Sequence, residues 1–343
     1  MLSPRAETIL NSIVEQYITK AVPVPSQSIV SDYSLGVSTA TIRNEMARLE
    51  EQGYIIRPHT SAGSVPSDKG YRYYVESLRD VKLPLVQQRM ISHLFHQIET
   101  KLDEWLILTA TLLARLAQNM AVVAAPKPVN CQFKHLELVA LHDSMALVVL
   151  VLHGAKVKEQ LITFDQVMSQ EELATTASKL NAAYSGLTNP QISAKEITLS
   201  AIEQQITDCI LKTMQSEDEE EYEGTHLDGL HFMFNQPEFA HTSQMQTLME
   251  LTKQRNLLRI ILPHGLASHG VQVVIGKENE VEVIRNYSVV ISRYGLPDEA
   301  VGSIAIVGPT RMPYAPSIAV IDYLSSVLSG LIAKLYGKEV PPA

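Results

Sequence analysis

Residues 38–74 constrain this chain more than any other stretch. Ile42, Met46 and Leu49 recur at i, i+4 and i+7, one apolar stripe of a helix that starts after Ser38. Gly53 supplies the left-handed residue that ends such a helix. Tyr54, Ile55 and Ile56 then open a strand, and Ala62-Gly63 turns the chain back before Pro66. A helix followed at once by a hairpin is the winged form of a helix-turn-helix. Ser38 at the helix start, with Thr39, Thr41, Arg43, Asn44 and Arg48, falls off the apolar stripe and stays free to meet a ligand. Arginine presents a bidentate fork to guanine, and asparagine pairs with adenine, in a DNA major groove.

The upstream residues complete the motif. Ser3 caps a first helix with Pro4 at its first position, and Ile9, Leu10, Ile13, Val14, Tyr17 and Ile18 repeat on one face. Pro23 and Pro25 interrupt the chain, Ser26 caps a short second helix carrying Ile29 and Val30, and Tyr33 to Val37 forms the turn into the third. Three helices and a wing within about eighty residues make a small independent domain. Units of this kind also bind protein, so the pattern alone leaves both partners open.

Charge bears on that choice. Residues 1–82 hold nine basic and nine acidic side chains, so the formal charge of -9 belongs to residues 83–343. DNA affinity grows with the phosphates neutralised, and a neutral head on an acidic body grips random DNA weakly. Specific affinity then requires Arg43, Arg48, Arg57, Lys69 and Arg72 to cluster near a groove, and two heads to act together. His59, Thr60 and Ser61 sit in the wing beside Arg57 and are expected against the sugar–phosphate backbone, as is Lys69.

At 343 residues the chain has room for two or three domains with buried cores. Cys131 and Cys209 lie far apart in no CxxC pair, which excludes a thiolate zinc cage and points to a reducing, cytoplasmic setting. Met1-Leu2-Ser3-Pro4-Arg5 leads into an amphipathic helix, unlike a signal peptide. The most apolar stretch, residues 106–125, carries Arg115, Gln118 and Asn119 and reads as a buried helix, with no membrane span.

Beyond the head, residues 83–120 read as a helical connector, with Val86, Met90, Leu94, Ile98, Leu102 and Leu106 at helical spacing, broken at residues 124–128. Strands are expected at 133–141, 145–152 and 157–164, the first two joined by His142-Asp143-Ser144. Helices follow at 171–184, 200–214 and 241–252, and strands return at 258–262, 270–276, 281–291 and 302–307 before a closing helix at 316–336. Strands early and late with an acidic helical segment between them imply an α+β domain interrupted by an insertion. The run SEDEEEYEG at 216–224 is too charged to bury and reads as a solvated loop.

These residues also carry a family resemblance. ATIRNEMARLEEQGYI at 40–55, PHTSAG at 58–63, GYRYYV at 70–75 and, far away, GSIAIVGPTRMPY at 302–314 resemble the signatures of the heat-inducible transcription repressor HrcA family. The resemblance covers essentially the whole chain. Two positions depart from it: Ser64 stands where the family usually has a basic residue after the wing-tip glycine, removing one phosphate contact, and Pro25 stands where it usually has glycine. The resemblance implies a multidomain α+β chain: a winged helix-turn-helix at 1–82, a connector at 83–120, a GAF-like domain at 121–164 and 256–343, and an inserted dimerisation domain at 165–255. It further implies a homodimer that binds an inverted-repeat CIRCE operator, with a GroEL-type chaperonin promoting the active form.

Enzyme chemistry finds little support. His226, His231 and His241 lie beside Asp228 and Glu238, but spacings of five and ten do not place three imidazoles on one helix face, and no HExxH occurs. GxSxG, P-loop and GxGxxG patterns are missing, and no cofactor is implied. Gly308-Pro309-Thr310-Arg311 reads as a structural turn anchored by Arg311. The competing regulatory reading is a winged-helix protein whose GAF-like body senses a metabolite. No residue pattern marks such a ligand, and fold analogy alone does not supply one.

Overall fold

The computed structural model describes residues 2–32, 38–59, 63–98, 101–127, 131–142, 144–153, 157–219, 224–239, 249, 261, 270–297 and 299–338. The chain divides into two compact units, one of Met1–Pro126, Gly224–Pro297 and Val301–Ala343, the other of Lys127–Glu223 with Asp298–Ala300.

The first unit opens with α1 (Pro4–Lys20), whose start is fixed by the Ser3 hydroxyl accepting the Ala6 N–H at 3.2 Å. Its Ala6, Ile9, Leu10, Ile13 and Val14 are buried. They meet Ile29 of α2 (Ser26–Asp32) and the Ile42/Met46/Leu49 stripe of α3 (Thr39–Glu51) in one core. Gly53 takes the left-handed conformation, and the Tyr54 N–H reaches back to the Leu49 carbonyl, which closes α3. The wing pairs β1 (Ile55–Ile56) antiparallel with β2 (Val65–Pro66). The turn expected at 33–37 lies outside the described residues.

GYRYYV lies on a further helix, α4 (Asp68–Ser77), capped by the Ser67 hydroxyl on the Gly70 N–H, with Tyr71 and Tyr74 buried. The 83–120 segment is two helices, α5 (Leu85–Gln97) and α6 (Leu102–Ala117). It is no free connector, because Trp105, Leu106, Ala110, Leu113 and Ala117 are all buried in the main core. Gln118 turns left-handed and β3 (Met120–Lys127) follows at once. The apolar run 106–125 is therefore helix as far as Ala117 and strand from Met120, and the expected break at 124–128 falls within β3 as far as Lys127.

The second unit is a three-stranded antiparallel sheet, β4 (Phe133–His142), β5 (Met145–Leu152) and β6 (Val157–Thr163), in that order. It is joined by α7 (Gln170–Tyr184), α8 (Asn189–Ser193) and α9 (Ala201–Glu219). Phe133, Leu136, Leu138, Val148, Leu150 and Ile162 face inward against Leu173, Leu180, Ile206, Ile210 and Met214 of the helices. The backbone edge of β4 is satisfied by α7: Asn181 bonds both the N–H and the carbonyl of Leu136, and Gln170 bonds the Ala140 N–H and Leu138 carbonyl.

This moves a boundary. The reading that began the insertion at 165 left the strands of 133–163 with the GAF-like domain, whereas their inward side chains form a common core with α7 and α9. The acidic run changes too: α9 continues through Glu219, so its first residues are helical.

The chain then returns to the first unit through β7 (Thr225–Asp228) and α10 (Leu230–Phe234), and β8 (Val271–Ile275), β9 (Tyr287–Leu296), β10 (Ala300–Pro309) and α11 (Tyr314–Leu335) close it. Among the described residues the sheet order is β7-β3-β10-β9-β8. The strand expected at 281–291 begins later, because Glu282–Ile284 forms a single 3-10 turn before β9. The helix expected at 241–252 and the strand at 258–262 fall outside the described residues, except Met249 and Ile261, both helical. By length and composition α11 could cross a membrane. Instead it packs on β9 and α6, with Val320, Ile321, Leu324, Leu328 and Ile332 fully buried.

Candidate nucleic-acid interface

With its stripe buried, α3 turns Ala40, Arg43, Asn44, Ala47 and Arg48 outward. These recur at i, i+3, i+4, i+7 and i+8 and form one continuous face. Ala40 and Ala47 carry no chemistry, and a search for polar groups passes over them. Their short side chains let the helix backbone come near a groove floor between the long side chains, and helical spacing alone was enough to find them. At the helix start the Ser38 hydroxyl accepts the Thr41 N–H at 3.2 Å and lies 3.1 Å from the Thr41 hydroxyl. Ser38 and Thr41 therefore build the cap. With half-buried Thr39 they border the end where unpaired N–H groups and the helix dipole favour a phosphate.

The long side chains on this face are lightly engaged. Arg43 donates one N–H to the Ser26 hydroxyl at 3.3 Å, while Asn44 is exposed beside it. Arg48 is 71% exposed and 3.4 Å from Glu45, a surface pair of little energetic weight. Both guanidiniums keep most of their five donors for another acceptor. Arg57 joins the start of the wing to α3 through Glu50 at 3.3 Å, and His59 beyond it is exposed. Thr60 and Ser61 lie outside the described residues.

Lys69 and Arg72 do not join this cluster. The Lys69 ammonium donates to the Gln52 carbonyl at 2.8 Å and stands 4.4 Å over the Tyr54 ring, so it closes the C-terminal end of α3. Arg72 points the other way. Its guanidinium forms an ion pair with Glu278 and donates to the Val273 carbonyl of β8, and the bond to Glu278 holds its proton more tightly still. The expectation that Arg72 faces a DNA groove is corrected: its fork is spent inside the protein.

Ser64 is corrected as well. It is 0% exposed, and its backbone exchanges two hydrogen bonds with Val24, 2.8 and 2.9 Å long, adding a third strand segment to the wing. A side chain here points into the domain, so its departure from the family pattern removes no phosphate contact. Close approach also explains Gly63, where a Cβ would lie 2.4 Å from the Val24 carbonyl carbon.

The remaining motifs take structural places. His226 lies on β7, the His231 ring packs 4.0 Å from that of Phe232, and His241 is outside the described residues. The Gly308–Arg311 turn is anchored as its sequence suggested: Arg311 pairs with Glu238, reaches Gln236, and donates to the Ile18 carbonyl near the end of α1 at 3.2 Å.

A helix with a buried stripe and an exposed polar face, a wing behind it, and a helix-flanked five-stranded sheet define a winged helix-turn-helix protein with a GAF-like α+β body. The description of DeoR-like helix-turn-helix domains matches residues 32–68, and that of the HrcA protein C terminal domain matches residues 103–318. A heat-inducible transcription repressor HrcA of Dehalococcoides mccartyi is 52% identical over 342 residues, covering 100% of this chain and 99% of its own. That of Roseiflexus castenholzii is 42% identical over 349 residues, covering 98% and 96%. The crystal structure of a hypothetical protein shares the fold, with a TM-score of 0.58 and 24% identity over 97% of this chain and 98% of that one. The chain belongs to the HrcA family.

Proposed function

We propose that this chain is a cytoplasmic, non-enzymatic repressor of chaperone operons that binds an inverted-repeat operator of the CIRCE class as a homodimer and loses activity on heat stress. The observation that carries the reading is the α3 face: Arg43, Asn44 and Arg48 lie outward beside two alanines on a helix whose opposite side is fully committed to the core. Family membership and full-length relatives named as heat-inducible repressors support the heat-shock context. Base contacts come from α3, and positioning contacts from its N-terminal cap and from Arg57 and His59 of the wing, with Thr60 and Ser61 beside them in sequence.

The neutral head requires two heads acting together, which dimeric helix-turn-helix proteins present about 34 Å apart or at multiples of that distance. The second unit offers a surface for this. The outer face of its sheet carries exposed Val139 and Leu161 in one cross-strand row with half-buried Leu147 between them, and Met145 and Val157 are exposed as well. An apolar face of this kind suits a second copy of the chain. A GroEL-type chaperonin, as the family resemblance implies, assists the active form, so that occupied chaperonin leaves less repressor.

A gel-shift titration with CIRCE-type duplex, with and without chaperonin and after a heat pulse, tests the reading. Nanomolar retention of the repeat, lost on heating and recovered faster with chaperonin, is expected. Equal affinity for scrambled duplex refutes it.

A further inference from the structure

The head and the GAF-like body share one unbroken core and, among the described residues, are also tied at two polar points, neither used by the DNA face. At the first point, α4 lies against β8, the outermost described strand of the sheet. An outermost strand leaves carbonyls without ladder partners, and Arg72 takes that of Val273 while pairing with Glu278. Four residues earlier on α4, the Asp68 carboxylate accepts the Lys277 N–H at 3.0 Å. Between them Tyr71 is 2% exposed, its ring 5.8 Å from that of Tyr314 at the start of α11. At the second point, Arg311 after β10 takes the Ile18 carbonyl, one of the last four of α1 that have no intrahelical partner, and is itself held by Glu238. The two points grip different helices of the head, so together they fix its tilt as well as its position.

We propose that Arg72 and Arg311 are positioning residues that set the angle at which α3 is presented, and through it the half-site spacing the dimer accepts. The inference rests on the DNA-binding reading above. With one polar attachment, the head's tilt would rest on apolar packing alone, which is non-directional and tolerates small rotations. Two attachments, one beside the wing's exit and one at the end of α1, leave a single orientation. A dimer with fixed heads selects one spacing between half-sites, and a dimer with pivoting heads tolerates several.

The test uses the full chain and a series of inverted repeats whose central spacer varies by single base pairs, with an isolated half-site as reference. Wild type is expected to show one sharp optimum. Arg72→Ala should lower affinity at that optimum about tenfold and bring the neighbouring spacers to within about twofold of it, with half-site affinity unchanged. Arg311→Ala should broaden the profile in the same way. Arg72→Lys, which keeps a cationic donor for the Val273 carbonyl and Glu278, should restore most of the sharp optimum, and Glu278→Gln serves as the milder variant if Arg72→Ala does not fold. A profile as sharp in the folded variants as in wild type overturns the proposal. So does a drop in half-site affinity equal to that on the full repeat, which would make Arg72 a DNA contact. If wild type binds no repeat at all, the DNA reading fails and the proposal falls with it.

Discussion

The Ser64 position yields an outcome opposite to the one family comparison suggests. A basic residue after Gly63 looks like a restored phosphate contact, so Ser64→Arg would be expected to tighten DNA binding. The structure predicts damage. Ser64 is 0% exposed, its backbone is committed to Val24 on both sides, and its hydroxyl has no partner among the described residues. Placing a guanidinium there either buries an unpaired charge or breaks the Val24 bridge, and lesions of this class cost about 3 kcal/mol or more. Ser64→Ala runs the other way. It removes a buried hydroxyl that pays desolvation without a bond, so it should be neutral or stabilising by up to about 1 kcal/mol. Hydrogen exchange read at the Val24 and Ser64 amides is the direct assay. Protection should collapse in Ser64→Arg and hold or rise in Ser64→Ala, with operator affinity following protection. Unchanged protection in Ser64→Arg with tighter DNA binding would refute the argument.

Two further outcomes follow from the second unit. Leu161→Asp, at a side chain 58% exposed on the outer sheet face, should convert the proposed homodimer to a monomer in sedimentation without unfolding the unit, and a variant that stays dimeric removes that face as the interface. Glu203 is held below the ordinary carboxylate value of 4.5 by Lys179 at 2.8 Å and by the Ser200 N–H at 2.7 Å. A lowered folded-state value means stability that is present above about pH 4.5 and lost as pH falls through the folded-state value. Glu203→Gln should therefore cost up to about 1 kcal/mol at neutral pH and nothing in strong acid, and a cost that does not vary with pH would show the group is not ionised in the way described.

How much of this was legible beforehand depends on where each residue finds its partners. Helix α3 could be read residue by residue because its burial follows from its own 3.6 period, and Gly53 ends it by local backbone chemistry. Helix α4 could not, since Tyr71, Tyr73 and Tyr74 favour strands by propensity and become helical under the Ser67 cap and the burial offered by α1 and α11. The α6–β3 junction hides in a run of apolar residues that is buried in both conformations, so no periodicity marks the change at Gln118. The unit boundary near Lys127 was invisible for a related reason. Alternating strands such as β4 and β5 look the same whichever helices cover them, and only the contacts with α7 and α9 assign them. Arg72 shows the same limit for charge: a basic residue near a wing reads as a phosphate ligand until Glu278, two hundred residues away, is found opposite it.

The central claim is that the outward face of α3 reads operator bases. Arg43 and Asn44 contribute almost nothing to the fold, one weak bond to Ser26 aside, so replacing both should leave stability within about 0.5 kcal/mol of wild type. A good bidentate base contact carries about 1–3 kcal/mol, so losing two should weaken operator binding by at least about 2 kcal/mol, roughly thirtyfold in Kd. The decisive measurement is the Kd of a well-folded Arg43→Ala/Asn44→Ala chain for the operator and for scrambled duplex at one fixed salt concentration. The account predicts that the operator Kd rises at least thirtyfold while the scrambled-duplex Kd moves far less. Wild-type operator affinity in that variant would contradict it.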